Sequence, residues 1–150
     1  MDLILWRHAE AEDGVPDAGR KLTDKGLIQA QRMAAWLKPR LPHHTRILVS
    51  PATRTQQTAA ALEMQFETVK EVGVGTSPII LLAKSGWPDT PDAVLIVGHQ
   101  PTLGQVAAFA LSGEVRNWSV KKGAIWWISK RVRQGEGQAV LRCMLAPELL

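Results

Sequence analysis

The sequence predicts a three-layer α/β/α sandwich with a mostly parallel central sheet closed by a C-terminal hairpin. Three observations carry that expectation. The runs "LILW" (3–6), "ILVS" (47–50) and "VLIVG" (94–98) are short, apolar and rich in branched residues, as strands buried on both faces of a parallel sheet are. Segments with helical spacing separate them. Near the end, "AIWWISKRV" and "AVLRCML" flank "RQGEGQ", two strand-like stretches around a Gly-containing turn.

The elements follow in order. After "LILW", Thr23 in "LTDKG" is a plausible N-cap, and Leu27, Ala30, Ala34 and Leu37 recur at helical spacing until Pro39. "SPATRTQQTAAALEMQF" reads as a second helix with Ser50 at the N-cap and Pro51 at N1. A weaker strand is expected near Thr68–Val72, then a Gly-rich turn and the short apolar piece "IILLA" (79–83). "SGWPDTPDA" (85–93) is a loop by composition. After "VLIVG", "TLGQVAAFAL" (102–111) follows Pro101 and ends at Gly113, a third helix.

The 150 residues are expected to form one domain, 1–150, large enough to bury a core without disulfides or structural metal. A single cysteine, Cys143, makes no internal disulfide and offers no thiolate metal cluster. Arg7 interrupts the first apolar run after four residues, and no stretch approaches the roughly 20 apolar residues that cross a bilayer. The expectation is a cytoplasmic protein without membrane contact. The net charge of +4 is unevenly spread. Residues 1–24 are acid-rich, whereas residues 115–150 carry Arg116, Lys121, Lys122, Lys130, Arg131, Arg133 and Arg142 against Glu136 and Glu148. A basic end could attract an anionic partner, but no nucleic-acid motif interleaves it, and a solvated strand surface is the favoured reading. Nothing resembles a coiled coil, and a monomer is expected.

Each buried run leads within a few residues to a basic or titratable group: Arg7 and His8, then Arg54, then His99. Crevices in open α/β sheets form beyond the carboxyl ends of the strands, so neighbouring parallel strands would bring these four together. Such a pocket suits phosphate. Arginine offers a fixed fork of donors for paired oxygens, and Arg54 falls in a helical first turn where free N–H groups favour an anion. A neutral imidazole in line with phosphorus is a competent nucleophile, and flanking arginines both stabilise the transferring group and discourage imidazole protonation.

Competing roles are weaker. His8, Glu10 and Glu12 alternate and would share a strand face, but a loop with solvated carboxylates fits better than a metal site. His43 and His44 sit in a polar turn and are expected at the surface, pointing apart. Trp126 and Trp127 are expected on opposite sheet faces, one of them in the core. Cys143 reads as a small core residue.

"LWRHAEAE", "LTDKGLIQAQRMAAWL", "VSPATRTQQTA" and "LIVGHQP" together resemble the motifs of the histidine phosphatase superfamily, of phosphoglycerate mutase-like fold, in that family's order. The resemblance implies a phosphatase without metal or cofactor. His8 would be the phosphorylated nucleophile, Arg7 and Arg54 phosphate ligands, and His99 a phosphate contact that stabilises the transition state. Arg20 resembles an accessory arginine near the pocket mouth, or is an exposed loop arginine. Larger members take a general acid from the region after the third strand, where Glu71 is the best match here, or a plain surface carboxylate. Ala9 stands where larger members usually have glycine, and their long insertions are missing. Both features resemble the compact SixA-type branch, which removes phosphate from protein phosphohistidine. The implied substrate is a phosphorylated protein, with small phosphoesters such as sugar phosphates as the alternative. A non-catalytic phosphate-binding module is the reading from another class.

Overall fold

A computed structural model describes residues 1–133 and 136–150. Its sheet has six strands in the order β3-β2-β4-β1-β5-β6. These are β1 (Asp2–Arg7), β2 (Arg46–Val49), β3 (Glu67–Thr68), β4 (Val94–Gly98), β5 (Ile125–Arg133) and β6 (Glu136–Leu145). β1, β2, β3 and β4 run parallel, and β5 and β6 add an antiparallel edge on β1. The turn expected within "RQGEGQ" centres on Gln134 and Gly135, which lie outside the described residues.

Four helices cover the sheet: α1 (Asp24–Leu37), α2 (Thr53–Ala60), α3 (Pro78–Ser85) and α4 (Thr102–Ser112). Alternate residues of β1 divide the core between two layers. Ile4 and Trp6 pack with Met33, Ala34 and Leu37 of α1 and Ala59 of α2. Leu3 and Leu5 pack with Leu81 and Leu82 of α3 and Leu103, Val106 and Ala107 of α4. Each such fully buried large side chain contributes about 1.5–3 kcal/mol of burial free energy. That is the reward for an unbroken apolar run.

The chain leaves β1 towards α1 on one face and leaves β4 towards α4 on the other, although β1 and β4 are paired neighbours. Helices departing to opposite faces open a crevice at the carboxyl ends of these two strands. The segment following β1 is fastened down there. Ala9 N donates to Thr58 Oγ1, Glu10 N to Gln29 Oε1 and Leu22 N to Gln57 Oε1. Thr23 is the N-cap of α1, its Oγ1 accepting from Gly26 N at 2.9 Å.

Several expectations need correction. "IILLA" is the body of α3, capped by Ser77 and closed by Gly86 at φ 79°. Only Glu67–Thr68 of the expected third strand is extended, and Lys70–Val72 forms a 3-10 turn. Ser50 is not the N-cap of α2, which is Ala52; its hydroxyl accepts from Ala52 N and lies against His99 Nε2. Leu27 is 39% exposed, and Met33 takes the buried place on α1. The His43 and His44 rings do not point apart: they lie 4.2 Å from each other between centroids, because His44 takes a left-handed φ of 63°. Trp127 is buried, and Trp126 packs on the opposite face. Cys143 is partly buried against the same layer as Trp127.

The late basic residues are largely partnered at the surface. Arg116 pairs with Glu114, Lys121 with Glu148, and Arg131 and Arg142 with Asp2. The Arg116–Glu114 and Lys121–Glu148 pairs are exposed at both ends and contribute little stability. Among the described residues, no helix is long and apolar enough to cross a membrane.

Candidate active site

His8 lies one residue past β1 and His99 one residue past β4. The strand ladder continues through the first of them, His8 N donating to Gly98 O at 3.1 Å. The two rings are neighbours, their centroids 5.4 Å apart and their planes tilted by 54°. Arg7 ends β1, and Arg54 is the second residue of α2, which starts just beyond β2. Arg7, His8, Arg54 and His99, which the sequence scatters over 93 positions, therefore share one crevice.

Hydrogen bonds set the orientation of each group. His8 Nδ1 lies 2.7 Å from the Ala9 carbonyl oxygen. A carbonyl only accepts, so Nδ1 holds the proton and Nε2 carries the lone pair. His99 Nε2 is 2.7 Å from Ser50 Oγ, while its Nδ1 is buried with no partner. Arg7 Nη1 donates to Val120 O at 2.9 Å and leaves its Nε buried and unpartnered. Arg54 Nη1 and Nη2 donate to Asp17 O and Asp17 Oδ2, at 2.9 and 3.1 Å, again leaving Nε unpartnered. Buried polar atoms normally find partners. Among the described residues four buried side-chain nitrogens do not, and three of them belong to this cluster. Two guanidinium Nε groups and an imidazole nitrogen without protein partners suit an anion rich in oxygen.

The electrostatics agree. Burial, with the charges of Arg54, Arg7 and Arg20, lowers the His8 pKa from its ordinary 6.5 to about 4. Burial and Arg54 lower that of His99 to about 3. Burial and Arg54 also hold Arg7 below its ordinary value. Both imidazoles are thus neutral near neutral pH, as a nitrogen nucleophile requires. A stability consequence follows. An unfolded chain protonates these histidines near 6.5, so it binds more protons than the folded chain between there and the folded values. Stability present above pH 6.5 is therefore lost as the pH falls towards 4 and then 3. Thermal unfolding across that window should show a steadily falling Tm. A flat Tm would contradict neutral, buried imidazoles.

Arg20 sits beside the cluster, donating from Nε to Asp17 Oδ1 at 3.1 Å and from Nη1 to Glu12 O at 3.2 Å. Glu71 is half-buried on the turn Lys70–Val72. The Val72 carbonyl there approaches the Gly98 backbone, so the turn borders the same sheet edge. Among the described residues Glu71 has no hydrogen-bond or ion-pair partner. Glu10 is drawn away to Thr23, its Oε2 accepting from Thr23 Oγ1 at 2.8 Å. The described residues contain no group of three His, Cys, Asp or Glu arranged to hold a metal ion.

Two residues at the site escaped the sequence reading. Asp17 meets Arg54 across 37 positions, a separation that leaves no local signal, although its spacing of three from Arg20 hints at a shared turn. Ser50 was visible as a polar residue ending an apolar run, but its position before Pro51 suggested a helix cap.

Comparison with known proteins puts this geometry in context. The family profile of the histidine phosphatase superfamily (branch 1) matches residues 3–77, half of the chain. The chain belongs to the histidine phosphatase superfamily. It is 34% identical over 136 residues to an uncharacterised protein of Picosynechococcus sp., covering 83% of this chain and 82% of the relative. It is 28% identical over 127 residues to the phosphohistidine phosphatase SixA of Escherichia coli, covering 76% of each. The fold matches the protein histidine phosphatase SixA complexed with tungstate, with a TM-score of 0.82 over 99% of both chains at 24% identity. The superfamily profile stops short of His99, but the fold match extends across the segment that carries it.

Proposed function

We propose that this superfamily member hydrolyses protein phosphohistidine through a covalent phosphoryl intermediate on His8. The observation that carries the reading is the Nδ1–H bond from His8 to the Ala9 carbonyl, which leaves Nε2 as a free lone pair in a crevice with two arginines. Nε2 attacks phosphorus as the bond to the leaving imidazole breaks, and that imidazole departs neutral when its ring is protonated. Arg7 and Arg54 use their free Nε edges to hold the equatorial oxygens, where charge redistributes in the transition state. His99 donates from Nδ1 when the Ser50 hydroxyl donates to its Nε2. Arg20 adds positive charge at the mouth. Water then attacks the phosphorus of phospho-His8, the P–Nε2 bond breaks, and orthophosphate leaves with the proton from water.

The substrate class rests on similarity to SixA of Escherichia coli and on leaving-group chemistry. Imidazole departs readily, whereas an alkoxide needs a general acid. Glu71, half-buried beside the sheet edge, is the candidate acid for small phosphoesters, the second reading.

The test is phosphate release from a panel holding a phosphohistidine protein, several sugar phosphates and an aryl phosphate. Preference for the phosphohistidine protein is the expected result. Preference for sugar phosphates, lost in Glu71→Gln, would transfer the assignment to small esters. Tight orthophosphate binding with no turnover of any substrate would leave a binding module.

A further inference from the structure

We infer that Asp17 is a positioning residue for Arg54, holding one edge of its guanidinium so that the other faces the transferred phosphoryl group. The inference rests on reading the crevice as a phosphoryl site.

A guanidinium presents two useful edges: the terminal pair Nη1 and Nη2, and the side pair Nε and Nη2. Asp17 takes the terminal edge completely, with its backbone oxygen on Nη1 and its carboxylate on Nη2. What remains is the Nε side, buried and unpartnered. Arg7 shows the same division, with Val120 O on Nη1 and a free Nε. The two arginines are thus held from behind by groups that do not compete for the side edge. For Arg54 the holder is an ionised side chain, and Asp17 is the one acidic residue among those described within ion-pair distance of it.

The carboxylate acts on more than one group. Its other oxygen accepts from Arg20 Nε, so Asp17 ties together two cations that depress the His8 pKa. The hydrogen bond from Arg54 in turn keeps the Asp17 carboxyl below its ordinary value, ionised throughout the neutral range. The Asp17 side chain is 56% exposed on a three-residue 3-10 turn, whereas that of Arg54 is 4% exposed. A core-packing role does not account for such an exposed residue.

A negative charge behind Arg54 also repels an incoming phosphate, and the two effects oppose each other. Repulsion from a half-exposed carboxylate is strongly screened, while the correctly aimed charged hydrogen bonds of a buried guanidinium are not. Orientation therefore wins, and losing Asp17 should weaken anion binding.

The experiment titrates orthophosphate into wild type, Asp17→Ala, Arg54→Lys and the double variant by calorimetry, beside steady-state kinetics on the preferred substrate. Lysine binds as a point charge with no fork to aim, so it removes what Asp17 is inferred to act on. Asp17→Ala is expected to raise the orthophosphate Kd at least fivefold and lower kcat/KM at least tenfold. In the Arg54→Lys background the same change should shift Kd less than twofold. Thermal unfolding identifies any variant that has lost its fold, with Asp17→Asn as the milder substitute. Unchanged or tighter binding by Asp17→Ala overturns the inference, as does an equal loss in the lysine background. A wild type that binds orthophosphate but hydrolyses nothing overturns the hydrolase reading alone, since the affinities still judge Asp17. A wild type that binds no orthophosphate overturns both.

Discussion

Replacing His8 by alanine is expected to abolish phosphate release, lowering kcat by at least about 10⁴-fold, the scale of losing a covalent nucleophile. The prediction separates chemistry from binding because of how His8 is anchored. Its side chain makes one hydrogen bond, to the carbonyl of its own neighbour Ala9, while its backbone stays in the ladder through Gly98 O. Arg7 and Arg54 are held by Val120 and Asp17, not by His8. The variant should therefore fold and still bind orthophosphate. Rapid-quench experiments should trap an acid-labile, alkali-stable phosphoenzyme in the wild type and none in the variant. A His8→Ala protein that turns over at an undiminished rate would remove the covalent intermediate from the mechanism.

The second large effect is structural. Gly26, in the first turn of α1, lies so close to the Glu10 backbone that an added Cβ would run into the Glu10 carbonyl oxygen. That oxygen has nowhere to retreat. It accepts from Thr23 N at 3.1 Å, and the Glu10 N–H is held by Gln29 Oε1 at 3.0 Å. Gly26→Ala should therefore cost about 3 kcal/mol, at the upper end of overpacking penalties. For a chain of this size that corresponds to a fall in Tm of roughly 10 °C. Activity should suffer beyond the loss of folded protein, because Glu10 is two residues from His8. An unchanged Tm would mean that α1 and the segment after β1 can separate without cost.

The strands β1, β2 and β4 were legible because a strand buried on both faces must be apolar at every position, a demand few other environments make. α1 was legible from its cap, Thr23, and α4 from Gly113, which closes it at φ 80°. α3 was not read as a helix because its eight residues, "PIILLAKS", span barely two turns and show no clear polar face. The convergence of Arg7, His8, Arg54 and His99 could be anticipated because each ends or lies within a few residues of a recognisable strand. Asp17 could not, since its partnership with Arg54 exists only once α2 has folded against the turn at Asp17–Gly19. Ser50 illustrates a rule overridden by its surroundings: the preference of serine for a helix start yields to a histidine ring within hydrogen-bond reach.

His8 is set one residue beyond a strand paired on both sides, and His99 one residue beyond the adjoining strand. The distance between the two rings is therefore inherited from the spacing of neighbouring strands, not from the closure of a flap. β1 and β4 are paired on both sides and buried, the kind of element that opens late, so their spacing should outlast local opening elsewhere. The proximity of these two imidazoles is thus a property of the sheet, while the aim of Arg54 depends on the exposed turn that carries Asp17.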